Sequence, residues 1–152
     1  MRARSWSVTL CLAVLLSTFG GTAYAADGPR FDPAGTAVEV GIDEATVVRF
    51  TELGLQPHER VDIAVTVTVV IETSCVVPSS GQVLFRTTSS ASAATVKTHQ
   101  ADAGGRIVEV ERLTARPGAV DVTGMPCEVQ REATASATVI DQDHDVRISV
   151  VS

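Results

Sequence analysis

From Val61 to Ile71 apolar and polar side chains alternate. Val61, Ile63, Val65, Val67, Val69 and Ile71 share one side of a two-residue period, while Asp62, Ala64, Thr66 and Thr68 occupy the other. Successive side chains of an extended chain point to opposite faces, so this stretch predicts a long strand with one face buried. The same alternation recurs in Thr36–Val40, Thr46–Phe50, Gln82–Thr88, Arg106–Arg112, Glu132–Ile140 and Asp145–Val151, and more weakly in Ala94–His99 and Ala119–Val122. Turn residues separate these runs: Gly41, Pro57-His58, Pro78-Ser79-Ser80-Gly81, Ala103-Gly104-Gly105, Arg116-Pro117-Gly118 and Asp141 to Asp145. Short strands at this rhythm predict an all-β sandwich or barrel.

Three segments fall outside the pattern. Ala26–Gly35 carries two prolines and little apolar material, which predicts a flexible N-terminal arm. Ser89–Ala101 is rich in Ser, Ala and Thr; its alanines permit a short helix, and Thr95, Val96 and Thr98 favour a strand. In Thr123–Cys127, Pro126 cannot donate to a ladder, so Cys127 is expected to open an edge strand. No tandem repeat or second domain is visible, and residues 36–152 read as one sandwich domain.

Residues 1–25 have the three parts of a secretory signal peptide: basic Arg2 and Arg4, the apolar run Val8–Phe19, and the small-residue end Ala23-Tyr24-Ala25. The apolar run falls short of the roughly 20 residues that span a bilayer. Cys11 lies inside that run and not at the cleavage point, and Ala3 separates the two arginines, so neither lipid anchoring nor twin-arginine export is expected. The expected product begins at Ala26, is secreted, and inserts into no membrane.

Removal of residues 1–25 leaves ten basic residues against eighteen acidic ones, a net charge of −8, with Lys97 the only lysine. A surface so short of clustered cations suits nucleic acid poorly. The remaining 127 of 152 residues lack Trp, Tyr and Asn; the absence of Asn removes N-glycosylation sites and, beside abundant Ala, Val, Arg and Asp, suggests a GC-rich bacterial genome. Phe31, Phe50 and Phe85 are the aromatic supply, too little for stacked sugars or bases. Phe50 and Phe85 read as core, and Phe31 as a docking anchor or a plug at a strand edge. Protein interfaces draw on Trp, Tyr and Arg for their strongest contacts, so any partner, an unknown extracellular or envelope protein, is expected to meet a strand edge or loops rich in Arg and Asp.

Two cysteines, Cys75 and Cys127, remain after export. In an oxidising compartment they predict one structural disulfide, and the spacing offers no C-x-x-C redox motif. Asp141, Asp143 and Asp145 stand at alternate positions, as hard oxygen ligands do in a calcium loop, and are the candidate metal residues. An EF-hand would place Gly and Glu where Val146 and Ser152 stand, and Asp also favours a plain hairpin turn, so calcium is the lesser reading. His58, His99 and His144 share no metal-binding spacing and read as exposed loop residues. No serine sits in G-x-S-x-G and no acid/base pair can be named, so no catalytic residue and no cofactor are assigned.

Leu53-Gly54-Leu55-Gln56-Pro57-His58-Glu59-Arg60, leading into the Val61 strand, resembles the turn that opens a Val/Thr strand in bacterial immunoglobulin-like and fibronectin-III-like modules. This covers about a quarter of the chain. The resemblance implies an immunoglobulin-like β-sandwich of about seven to nine strands. Antibody domains carry a Trp after the first cysteine and a Tyr before the second, where this chain has Phe85 and Met125. Ala103-Gly104-Gly105 and Arg116-Pro117 faintly resemble the loops of chagasin-like protease inhibitors, without the N-P-T-T-G loop and with Gly118 where an aromatic would follow. A non-enzymatic binding or envelope-associated module is the expectation, and a small secreted protease inhibitor the alternative.

Overall fold

The computed structural model describes residues 28–41 and 45–152, so the predicted signal peptide lies outside the described residues. The described chain forms eight strands: β1 (Arg30–Phe31), β2 (Ala37–Val40), β3 (Ala45–Leu53), β4 (Arg60–Val76), β5 (Val83–Gln100), β6 (Ile107–Thr114), β7 (Glu128–Asp141) and β8 (Val146–Val151). A 3-10 turn at Pro33–Gly35 separates β1 from β2, and no described helix is long and apolar enough to cross a membrane. Two antiparallel sheets face each other. In the first, β3 pairs with β1 and β2 along one edge and with β6 along the other; in the second the order is β5-β4-β7-β8.

The two-residue period decides which side chains meet between the sheets. Val48 and Phe50 of β3 pack against Val61, Ile63, Val65, Val67 and Val69 of β4 and Ala135, Ala137 and Val139 of β7, all buried. Small alanines on β7 let the sheets approach around the Phe50 ring, the largest fully buried side chain. Phe31 meets Phe50 edge to face at 6.2 Å, so it is a plug at the sheet edge. The segment expected as a flexible arm is therefore built into the fold from β1 onward: the Asp32 N–H donates to the Thr51 carbonyl and the Asp32 side chain caps the 3-10 turn.

The sheets differ in length. β4, β5 and β7 run 17, 18 and 14 residues, whereas β3 has 9 and β6 has 8. The second sheet consequently projects past the first as a three-stranded ribbon of residues 71–76, 83–89 and 128–134. The irregular stretch after β6 lies over one face of this ribbon, with Pro117–Val120 beside Ile71, Thr73 and Arg131. Ala119–Val122, expected as a weak strand, forms no ladder and belongs to this covering segment, since β4, the strand it lies against, already has both neighbours. At the far end Cys75 and Cys127 form the disulfide, with Cα atoms 5.3 Å apart. It joins neighbouring strands of one sheet, Cys127 standing immediately before β7.

β5 absorbs both the predicted Gln82–Thr88 and Ala94–His99 strands and the Ser/Ala stretch between them, pairing with β4 from Val83 to Gln100. Alanine loses little in a strand when its neighbour ladder is a Val/Thr-rich strand of matching length, so tertiary pairing overrides the helical option.

Candidate functional site

In β3 the inward residues are Thr46, Val48, Phe50 and Glu52; in β7 they are Ala135, Ala137, Val139 and Asp141. Extending each apolar phase by one period thus carries a carboxyl into the interior. Both Glu52 and Asp141 are fully buried, at 0% exposure. They come from opposite sheets at the same end of the sandwich: Glu52 lies across from Phe31 and Ile107, and Asp141 lies across from Ile63 and Val146.

Asp141 is well provided with donors. Its Oδ1 accepts the N–H groups of Asp143 at 2.8 Å and His144 at 3.2 Å, and its Oδ2 lies 2.7 Å from His144 Nδ1. Burial pushes the Asp141 carboxyl up, and the hydrogen bonds from Glu52, His144 and the loop backbone outweigh it and hold it below its ordinary range. The other His144 nitrogen, Nε2, lies 3.3 Å from Glu59 Oε1, so one imidazole ties the β7–β8 loop to the β3–β4 loop. The Asp141 hydrogen bond, with the carboxylates of Asp141, Glu59 and Asp143 around it, raises the His144 pKa and favours the imidazolium.

Glu52 has no comparable support, since neither carboxyl oxygen meets a donor. Burial, then the facing Asp141, then Glu59 push its pKa up to about 8, which keeps it protonated at neutral pH. A protonated Glu52 can donate to Asp141, and the end of the sandwich then holds a neutral acid, a carboxylate and a histidine whose cationic form Asp141 and Glu59 favour.

The three aspartates are put to separate tasks. Asp141 organises its own turn, Asp143 Oδ2 accepts the Asp62 N–H at 2.7 Å, and Asp145 is exposed with φ at 56°, a left-handed conformation that Asp tolerates. No group of three or more His, Cys, Asp or Glu side chains among the described residues is placed to hold a metal ion. Millimolar calcium is accordingly expected to raise the melting temperature no more than magnesium or sodium at matched ionic strength; a calcium-specific rise abolished by Asp143→Ala would restore the calcium reading.

The histidines also differ from expectation. His58 is an exposed turn residue with φ at 61°. His99 lies in β5 and is buried edge-on to Phe50 at 5.7 Å, with Glu109 at 3.6 Å and Glu111 at 3.8 Å. His144 is half-buried between carboxylates. Glu52 itself was missed because the apolar phase of Thr46–Phe50 ended at Phe50; one more step would have exposed it. Glu111 was missed likewise, being in phase with Ile107 and Leu113 and paired with Lys97 at the sandwich edge.

Comparison with protein-family models, curated proteins and solved structures finds no match to this chain. What is defined is a disulfide-bridged all-β sandwich with a buried carboxyl pair at one end and a projecting ribbon at the other.

Proposed function

We propose that this chain is a secreted, non-enzymatic binding module of immunoglobulin-like type that meets an extracellular or envelope protein along a strand edge. The observation that carries this is β5: 18 residues without Pro or acidic side chains, its backbone laddered among the described residues with β4 alone. An unpaired strand edge presents a row of N–H and C=O groups to which an extended segment of a partner can add. Strand order supports the immunoglobulin-like reading, since β2-β3-β6 facing β5-β4-β7-β8 matches A-B-E facing C′-C-F-G.

The non-enzymatic reading is supported by closure of the best acid/base candidates. A general acid or base must reach the proton it moves, and Glu52 and Asp141 expose nothing to a substrate. The inhibitor alternative is weakened by placement: Gly104-Gly105 precede β6 and Arg116-Pro117 follow it, so the two motifs lie at opposite ends of an eight-residue strand.

The test is capture of culture-medium and envelope proteins on the immobilised secreted chain, with a protease panel beside it. Specific capture is expected, and Ser90→Lys with Ala94→Lys, which charges the β5 edge, is expected to abolish it while circular dichroism stays unchanged. Capture that survives both substitutions would place the interface elsewhere. Stoichiometric loss of protease activity would favour the inhibitor.

A further inference from the structure

Glu52 and Asp141 are fully buried at the same end of the two sheets, their carboxyls within hydrogen-bonding reach of each other, and no other group donates to either Glu52 oxygen. A carboxylate in such a place would be an uncompensated buried charge against a second one, whereas the acid has an acceptor in front of it. We propose that the Glu52–Asp141 pair is a proton-held latch: one shared proton ties the end of β3 to the end of β7, and its loss forces the sheets apart here and frees the β7–β8 loop.

The surroundings make proton loss uncompensated. On β3 itself the inward neighbour is Phe50. β1 offers Phe31 and β6 offers Ile107 opposite Glu52, while Arg106 is turned to Asp102. β4 presents Val61 and Ile63, and its Asp62 side chain faces Thr98 on the outer surface. β5 contributes His99, which stands against Phe50 and faces Glu109 and Glu111. The charges that act on Glu52 are those of Asp141 and Glu59, and His144 beside them is already shared between these two carboxylates. Ionised Glu52 would therefore meet two carboxylates that both oppose its charge.

The loop that would be released hangs on this point. The Asp143 and His144 N–H groups both end on Asp141, and the Gln142 N–H donates to the Asp62 carbonyl at 3.0 Å. Moving Asp141 disturbs all three.

The direction with pH follows from proton binding. Glu52 has an ordinary value of 4.5 and is held at about 8 in the fold, so the folded chain keeps a proton that the unfolded chain has lost across that window. Stability is fully present below about pH 4.5, falls as pH rises, and levels off above about pH 8. His144 acts in the same direction, its contribution present below its ordinary 6.5 and lost as pH rises through its higher folded value. Asp141 acts oppositely and only on the acid side, below its ordinary 3.8.

Thermal unfolding of the secreted chain and of Glu52→Gln from pH 5 to pH 9 tests the latch. The wild-type Tm is expected to fall by roughly 10 °C across this range. Glu52→Gln, a neutral side chain of the same shape, is expected to lose most of that fall and to exceed the wild type at pH 9. Parallel curves for the two proteins would overturn the proposal. In the wild type, the Glu52 side-chain carbon followed by NMR is expected to titrate well above the ordinary glutamate range, and a midpoint near 4.5 would overturn it whatever the variant does. Hydrogen exchange at Gln142, Asp143 and His144, corrected for intrinsic base catalysis, is expected to accelerate above pH 8 relative to Val65 and Val67. Equal protection of loop and core across that pH would show that no latch opens.

Discussion

Replacing Cys75 and Cys127 together by alanine is expected to lower the unfolding free energy by about 4 kcal/mol, read from urea unfolding as a reduced midpoint. The bridge closes a loop of 52 residues that contains all of β5 and β6, and the chain-entropy cost of opening such a loop in the unfolded state gives this magnitude. A second effect is local. The ribbon end has little core of its own: residues 128–134 of β7 are exposed on both faces, and Val83, Leu84, Met125 and Val129 remain in solvent around the bridge. Without the bridge, hydrogen exchange is expected to quicken first in residues 71–76, 83–89 and 128–134 and last in Val61–Val69. A loss under about 1 kcal/mol, or uniform exchange, would show that the ribbon holds itself together without the disulfide.

Gly105→Ala is expected to cost about 4 kcal/mol, and Gly81→Ala only about 1 kcal/mol. Both glycines have left-handed backbones, with φ at 72° and 69°, so the conformational penalty for a side chain is common to the two. They differ in what surrounds them. A Cβ at Gly105 would stand 2.1 Å from the Leu55 carbonyl oxygen, whereas one at Gly81 would meet nothing within 4 Å. The close approach at Gly105 exists because the Leu55 N–H donates to the Gly105 carbonyl at 3.1 Å, stitching the β3–β4 turn to the β5–β6 turn. That stitch lies at the same end as Glu52 and Glu59. Equal losses for the two variants would mean that backbone conformation alone matters and that the turns are free to separate.

Period-two patterning was the legible part of this chain. Val61–Ile71 is inward at odd residues as far as Val69, and the same rule located β2, β3, β6, β7 and β8 to within a few residues. The paired cysteines were legible too, because the two thiols outside the predicted signal peptide allow one bridge. The carboxyl cluster was half legible. Asp141 was singled out for its spacing to Asp143 and Asp145, but of the partners that matter only His144 lies in the same loop, while Glu52 and Glu59 lie on β3 and on the β3–β4 loop. Sequence distance from Glu52 to Asp141 carries no information about their meeting; sheet pairing and facing do.

By itself the sequence determined the fold class and the faces of the strands, because alternation is a local property that any extended chain converts into one buried side. Tertiary structure alone decided that the Ser/Ala/Thr stretch from Ser89 to Gln100 continues a single strand, since it has no strong preference and takes the ladder β4 offers. It also decided that Phe31 closes a sheet edge and that Glu52 is held as an acid. A side chain's proton affinity depends on the dielectric and charges around it, and those are assembled only when β3 and β7 come together.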